Sequence, residues 1–207
     1  MSPKVSEAYK KEKKIDLLRA AKRVFINKGY THATMQDVMD ESGMSRGGLY
    51  SYFNHIDHLF MEVLQFEDQE DILFFEPSDE YPLWTQLTEW LRLQQKNIEG
   101  INNSLVRAKA EFFLTSNYAR DKENYPYITE RYDNIKNAIK GFIQKGIKQG
   151  EFQPILDPEH IVLYFISFID GLMLDTFQLG SQKTDVKVQL TAFQFSLKAM
   201  LLPVGEK

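Results

Sequence analysis

The sequence predicts an all-α chain of about nine helices, on three observations. Apolar residues recur at three- and four-residue intervals along nearly all of its 207 residues, and no alternating strand pattern is sustained. The seven prolines and eleven glycines fall mostly between the periodic segments. With 43% hydrophobic residues the chain buries a proper core, as one domain or as a small domain joined to a larger one.

The first helix is expected over residues 8–28. Ile15, Leu18, Ala21 and Phe25 form one stripe, and Gly29 ends it. Thr34 with Asp37 three residues on reads as a capping box opening a short helix to Glu41. Gly43 makes the next turn, Ser45 caps the following helix, and residues 46–53 give barely two turns. Val38, Met39, Met44, Leu49 and Phe53 have the spacing to hold these pieces against the first helix. Asn54 with Asp57 opens a longer helix to Phe74. Beyond Pro77 the expected helices are 83–98, 104–117, 127–149, 158–179 and 184–202, with breaks at Gly100, Tyr125-Pro126, Gly150 to Pro154 and Gly180. Asp157 before Pro158 is a strong start signal, because proline at the first helical position loses no needed hydrogen bond.

Charge divides the chain. Residues 1–60 hold ten Lys and Arg against seven Asp and Glu, and the remainder fifteen against twenty-two, for a net charge of -4. A basic head on an acidic body expects a polyanion at the head alone. The absence of cysteine excludes disulfides, thiolate zinc sites and cysteine nucleophiles. There is no His-Glu-x-x-His pair, phosphate loop or nucleophile elbow, so no enzyme is expected. Of the four histidines, His55 and His58 stand three apart on a helix without an evident third ligand, so neither a metal nor a cofactor is expected. The most apolar stretch, 161–169, is about half of the roughly 18–20 residues that span a membrane. The lysine-rich start has no apolar segment behind it to make a secretory signal. A cytoplasmic protein without a membrane partner is expected.

A helix, a glycine turn and a second short helix within twenty residues make the helix-turn-helix pattern. Such a second helix enters the DNA major groove by its N-terminal end. That end carries Ser45, Arg46, Gly47 and Gly48, followed by Tyr50, Ser51 and Tyr52. Each glycine costs a short helix about 0.5–1 kcal/mol relative to alanine. Lacking side chains, both let the backbone approach a base edge or a phosphate. Arg46 has the fork for guanine or phosphate, and the tyrosines offer hydroxyls to phosphates and rings to thymine methyls. Thr34 and Ser45 stand at helix N-termini, where backbone amides favour phosphate, and Gln36 joins them in the first turn after Thr34.

These residues carry a resemblance. The stretch from Ile15 to Leu64 is similar to the DNA-binding domain of the TetR family of transcriptional regulators. The shared pieces are Phe25, the Gly29-Tyr30 stop, Thr34, Gly43-Met44-Ser45, Gly48-Leu49-Tyr50, Tyr52-Phe53 and Leu59. Past residue 75 the likeness is architectural, with Gly150 to Phe152, Asp157 to His160 and Asp170 to Leu172 as local echoes. One position departs: where the family has a phosphate-contacting lysine three residues past Phe53, this chain has Ile56, leaving His55 or a backbone amide for that role.

The resemblance implies a three-helix DNA-binding domain over 8–55, closing on the helix that continues to about 75, and a helical ligand-binding and dimerisation domain over 56–207. Two half-sites one helical turn apart call for a twofold dimer on a palindromic operator. The last two helices are the candidates for its interface, through Phe165, Leu172, Phe177, Phe193 and Leu197. The alternative is that the apolar helix is simply central to the chain's own core. The resemblance also implies a cavity for a small-molecule effector, with Phe66, Trp90, Phe113, Tyr132, Phe168 and Met173 as candidate lining. Asp170 and Asp175 lie in an apolar helix where an unpaired charge is expensive, so each is expected to pair across a dimer, join a network or meet a cationic ligand. The acidic body favours a hydrophobic effector that is neutral or cationic. The expected function is a ligand-responsive repressor, with the helix after Asn54 as hinge. The alternatives are a protein-binding adaptor that has lost DNA binding, and an activator.

Overall fold

The computed structural model describes residues 6–115, 123 and 125–205, with only the backbone for 69–74. Its helices are α1 (Glu7–His32), α2 (Met35–Ser42), α3 (Arg46–Tyr50), α4 (Ile56–Phe74), α5 (Leu83–Glu99), α6 (Val106–Thr115), α7 (Pro126–Gln149), α8 (Pro158–Leu179), α9 (Ser181–Thr184) and α10 (Val186–Leu201), with a 3-10 turn at Ile101–Asn103. The nine expected helices are all present, and the four-residue α9 is an addition. The expected helix 104–117 begins at Val106, and its last two residues lie outside the described ones. Two compact units divide the chain: Met1–Gln69 with Asn103–Ile128, and Glu70–Asn102 with Thr129–Lys207.

In the first unit, α1 starts at Ser6, whose hydroxyl accepts from Tyr9 N–H. The helix is interrupted at Gly29, where φ is +75° and ψ 177°, a conformation that residues with a Cβ rarely adopt. α2 has the expected reciprocal cap: Asp37 N–H donates to the Thr34 hydroxyl, and Thr34 N–H donates to the Asp37 carboxylate. α3 is shorter than expected, five residues instead of eight, because the chain turns after Tyr50 to bury Phe53. α4 is capped differently from the sequence pattern. His58 N–H donates to His55 Nδ1 at 3.2 Å and Asn54 N–H to His58 Nδ1 at 3.3 Å, so two imidazoles do the capping. Asp57 instead accepts the Tyr30 hydroxyl at 2.7 Å. Leu18, Phe25, Val38, Leu49, Phe53 and Phe60 close the core, with the rings of Tyr30, Phe60 and Phe112 in mutual contact.

The second unit packs α5, α7, α8 and α10 around Trp90, Phe142, Phe165 and Phe193. α5 is capped from a distance, Leu83 N–H donating to the Glu151 carboxylate at 2.7 Å. α8 begins as expected at Pro158, with Asp157 accepting from Glu159 N–H. Among the described residues α8 is the one helix long and apolar enough to cross a membrane, with a mean hydropathy of 1.4. Its Ile161, Val162, Phe165, Ile169 and Leu172 are buried in the unit's own core. Gly180 and Asp185, both at positive φ, break the chain twice between α8 and α10.

The burial corrects the proposed interface. Phe165, Leu172, Phe193 and Leu197 are 0–3% exposed within the single chain, and Phe177 is half-buried. These four side chains are covered without a partner, so this face of α8 and α10 belongs to the chain's own core. Asp170 and Asp175 are exposed on α8, so within the single chain neither has the desolvation cost inferred for a charge in an apolar helix.

Gly146 on α7 lies directly under the Phe152 ring, where an added Cβ collides, whereas Gly141 faces open space. Gly146→Ala is therefore expected to destabilise the protein by about 1–3 kcal/mol. Gly141→Ala is expected to stabilise it by roughly 0.5–1 kcal/mol through helix propensity. Urea midpoints of the two variants against the wild type check the contrast.

Candidate nucleic-acid interface

α3 is too short to persist alone, and its placement comes from one cap and one anchor. Gly48 N–H donates to the Ser45 hydroxyl at 3.3 Å, and Leu49 is fully buried against the first unit's core. Ser51 closes the far end, its hydroxyl donating to Gly48 carbonyl oxygen at 2.6 Å. Ser45, Arg46, Gly47, Tyr50 and Ser51 are thereby held on the exposed side, with Gly48 and Tyr52 half-buried.

The two glycines differ in kind. A Cβ on Gly48 would stand 2.8 Å from Met44 Cγ, so its glycine serves packing inside the turn. A Cβ on Gly47 would meet nothing within 4 Å. The protein's own packing gives no reason for a glycine there, and the helix loses stability by having one.

Most of the head's positive charge is paired internally. Lys14 bonds Glu62, Lys22 bonds Glu67, Arg23 bonds Glu41 and Lys28 bonds Asp37. Arg46 has no carboxylate partner among the described residues; its guanidinium lies 5.5 Å from the Tyr50 ring centroid. A groove of about 690 Å³ runs beside α3, and α1 supplies its other wall with Tyr9, Lys10 and Lys13. Ser45, Gly48, Ser51 and Tyr52 line the near side. The sequence reading missed this wall. The lysines were visible as charge, but that they lie alongside α3 is a matter of packing.

Thr34 and Gln36 stand exposed at the start of α2. Ile56 is half-buried against the core, and His55 is exposed, its Nδ1 occupied as a cap acceptor. The candidate effector residues fall into the two units: Phe66 and Phe113 pack on the first core, and Trp90, Phe168 and Met173 belong to the second. Phe168 stacks on Phe193 with centroids 4.1 Å apart, and Tyr132 is 43% exposed.

Residues 17–63 match the family described as bacterial regulatory proteins, tetR family, and residues 86–187 match the tetracyclin repressor-like C-terminal domain. The HTH-type transcriptional regulator YfiR of Bacillus subtilis is 31% identical over 202 residues, covering 97% of this chain and 98% of that protein. The chain belongs to the TetR family. The QacR regulator of Staphylococcus aureus is 25% identical over 148 residues, covering 66% of this chain and 71% of QacR. The solved structure of Salmonella enterica GusR shares the fold at a TM-score of 0.74 and 18% identity, covering 96% of this chain and 98% of GusR. Bacillus subtilis FadR, solved in complex with stearoyl-CoA, does so at 0.69 and 19% identity, covering 93% of this chain and 99% of FadR. TetR-family proteins are helix-turn-helix transcriptional regulators, and this chain is one of them.

The cap that starts α2 is also an acid-sensitive element of this TetR-family head. The Lys28 ammonium, with the hydroxyl and amide of Thr34, holds the Asp37 carboxyl below the usual carboxylate range. A carboxyl lowered by folding contributes stability that is present above its unfolded value and lost as pH falls through its folded value. Asp37→Asn is therefore expected to lower stability by about 1 kcal/mol at neutral pH. Its unfolding free energy should also fall less than that of the wild type on acidification through the carboxylate range. Denaturant titrations of both proteins at a series of pH values check this.

Proposed function

We propose that the chain is an effector-responsive repressor that binds a palindromic operator as a homodimer. The observation that carries this reading is the bare tip of α3. Gly47 is exposed and has no internal neighbour to exclude a side chain, and it follows the Ser45 cap and Arg46, a cation with no carboxylate partner among the described residues. An exposed glycine that weakens a five-residue helix is explained when a duplex edge occupies the space above it. Arg46 and Tyr50 then reach base edges, while Thr34, Gln36, Ser45, Ser51, Tyr52 and His55 meet the phosphates that flank them. The Tyr9, Lys10 and Lys13 wall contacts the strand from the other side of the groove. An adaptor that had lost DNA binding has no use for this arrangement.

The dimer face assigned here is the exposed apolar stripe left by the burial of the four core residues. It consists of Leu163, Tyr164, Gly171 and Leu174 on α8, and Val188, Ala192, Phe195 and Ala199 on α10. Phe195, 70% exposed in the single chain, supports this reading as the most exposed aromatic of the stripe. An effector that binds one half-site spacing better than another releases DNA in proportion to that difference. The proposed effector is small and hydrophobic, neutral or cationic, in keeping with an acidic body. α4, whose chain runs from the first unit into the second, is the proposed carrier of the signal.

Footprinting on the DNA flanking the gene tests the reading. The wild type is expected to protect a palindromic site, with affinity falling steeply between roughly 50 and 200 mM salt. Tyr50→Ala is expected to weaken binding about 10–100-fold. Gly47→Ala should do likewise while leaving the fold intact and roughly 1 kcal/mol more stable. Absence of any protected site, or Gly47→Ala binding as the wild type does, defeats the proposal. Phe195→Glu should sediment as a monomer and lose the footprint; a dimer in that variant removes the assigned face.

A further inference from the structure

The end of α1 is fastened in three directions within four residues. Lys28 Nζ donates to Asp37 in the α2 cap at 2.6 Å, and the Tyr30 hydroxyl donates to Asp57 in the first turn of α4 at 2.7 Å. Thr31 N–H donates to Glu111 Oε2 on α6 at 2.9 Å. The Arg107 guanidinium, one turn earlier on α6, donates to the other oxygen, Oε1, at 2.7 Å. Between Lys28 and Tyr30 lies the break at Gly29, and a Cβ there would stand 2.6 Å from Glu111 Oε1. The carboxylate thus occupies the place where any other residue would carry a side chain.

Two consequences follow. The positive φ of Gly29 turns the chain so that Thr31 N–H faces α6, and an acceptor is needed where the helical ladder is cut. Glu111 supplies it. Burial pushes its carboxyl up, but the Thr31 amide and the Arg107 guanidinium pull it down by more, so it stays ionised as the acceptor. Tyr30 is the counterpart. Burial, then the bond to Asp57, push its hydroxyl well up, so it stays a donor. All of these groups lie within the first unit, which includes α6.

We infer that Glu111 is a positioning residue for duplex binding: its carboxylate closes the break in α1 and so fixes the directions from which Lys28 and Tyr30 hold the starts of α2 and α4. α3 lies between those two starts and has no stability of its own, so its presentation depends on both. Glu111 touches no DNA in this scheme. The inference rests on the operator-binding reading above and adds to it a residue more than sixty positions away in sequence from the recognition helix.

The test compares Glu111→Ala, Glu111→Gln and Ala108→Gly in the full-length protein at a temperature where circular dichroism shows each fully folded. Ala108 is buried on the same helix, three residues before Glu111, so its glycine variant weakens α6 while leaving the Glu111 carboxylate itself in place. Glu111→Ala is expected to lose at least about tenfold in operator affinity, a loss of about 1.4 kcal/mol or more. Glu111→Gln keeps an oxygen for the Thr31 amide and is expected to recover most of it. Ala108→Gly is expected to bind as the wild type does. Without DNA, amide exchange at Gly48 and Leu49 should quicken in Glu111→Ala alone. Wild-type affinity and exchange in Glu111→Ala overturn the inference, as does equal weakening in Ala108→Gly. A wild type that binds no operator overturns the operator-binding reading and this inference together.

Discussion

A helix of five residues with two adjacent glycines cannot hold itself together, and that constraint organises the whole N-terminal unit. Helix nucleation is unfavourable, and helices shorter than about 12–15 residues are marginal in water even with favourable sequences. α3 exists because the Ser45 hydroxyl satisfies the Gly48 amide, Leu49 drives one side into an apolar core and Phe53 buries the chain that leaves it. The two helices on either side are in turn fixed by their own first turns. Asp37 is shared between Thr34 and Lys28, and Asp57, in the first turn of α4, accepts the Tyr30 hydroxyl. The unit is a set of helix starts tied to one interrupted helix end, and the recognition segment is what those ties hold in place.

That arrangement separates stability from contact. The side chains that build the unit point inward, and those left on the face of α3 have little to do within the chain. Gly47 is the sharpest case, because it weakens the helix and relieves no internal crowding. Charge behaves the same way. The positive balance of the head is largely consumed by Glu62, Glu67, Glu41 and Asp37, so an electrostatic argument from composition alone overstates the basic surface. What remains is local: Arg46 on the helix, since the groove lysines Lys10 and Lys13 of α1 are themselves in exposed pairs with Glu7 and Asp16.

The local features were legible in the sequence. Caps at Thr34, Ser45 and Asp157 and breaks at Gly29, Gly43 and Gly180 are short-range signals, and each stands where the pattern put it. The errors lie where a partner distant in sequence decides. Asp57 looked like a cap for α4 because it lies three residues after Asn54, but Tyr30 takes its oxygen and the histidines cap instead. α5 is capped by Glu151, which no local pattern announces. The apolar run in α8 was legible as buried, but not what it is buried against. Phe165 and Leu172 fill the chain's own core, and Leu163, Tyr164 and Leu174 are exposed on α8. A 3.6-residue period shows that a helix has two faces and leaves open which one is covered from within.

The central claim is that the uncovered tip of α3 lies in the major groove, once in each half of a symmetric pair. Methylation interference at guanine N7 measures this most directly, because that atom is reached only from the major groove. Two clusters of interfering guanines centred about 34–36 Å apart along one face of the duplex are the predicted result. Binding that is indifferent to N7 methylation, or a single cluster without its symmetric mate, would contradict it.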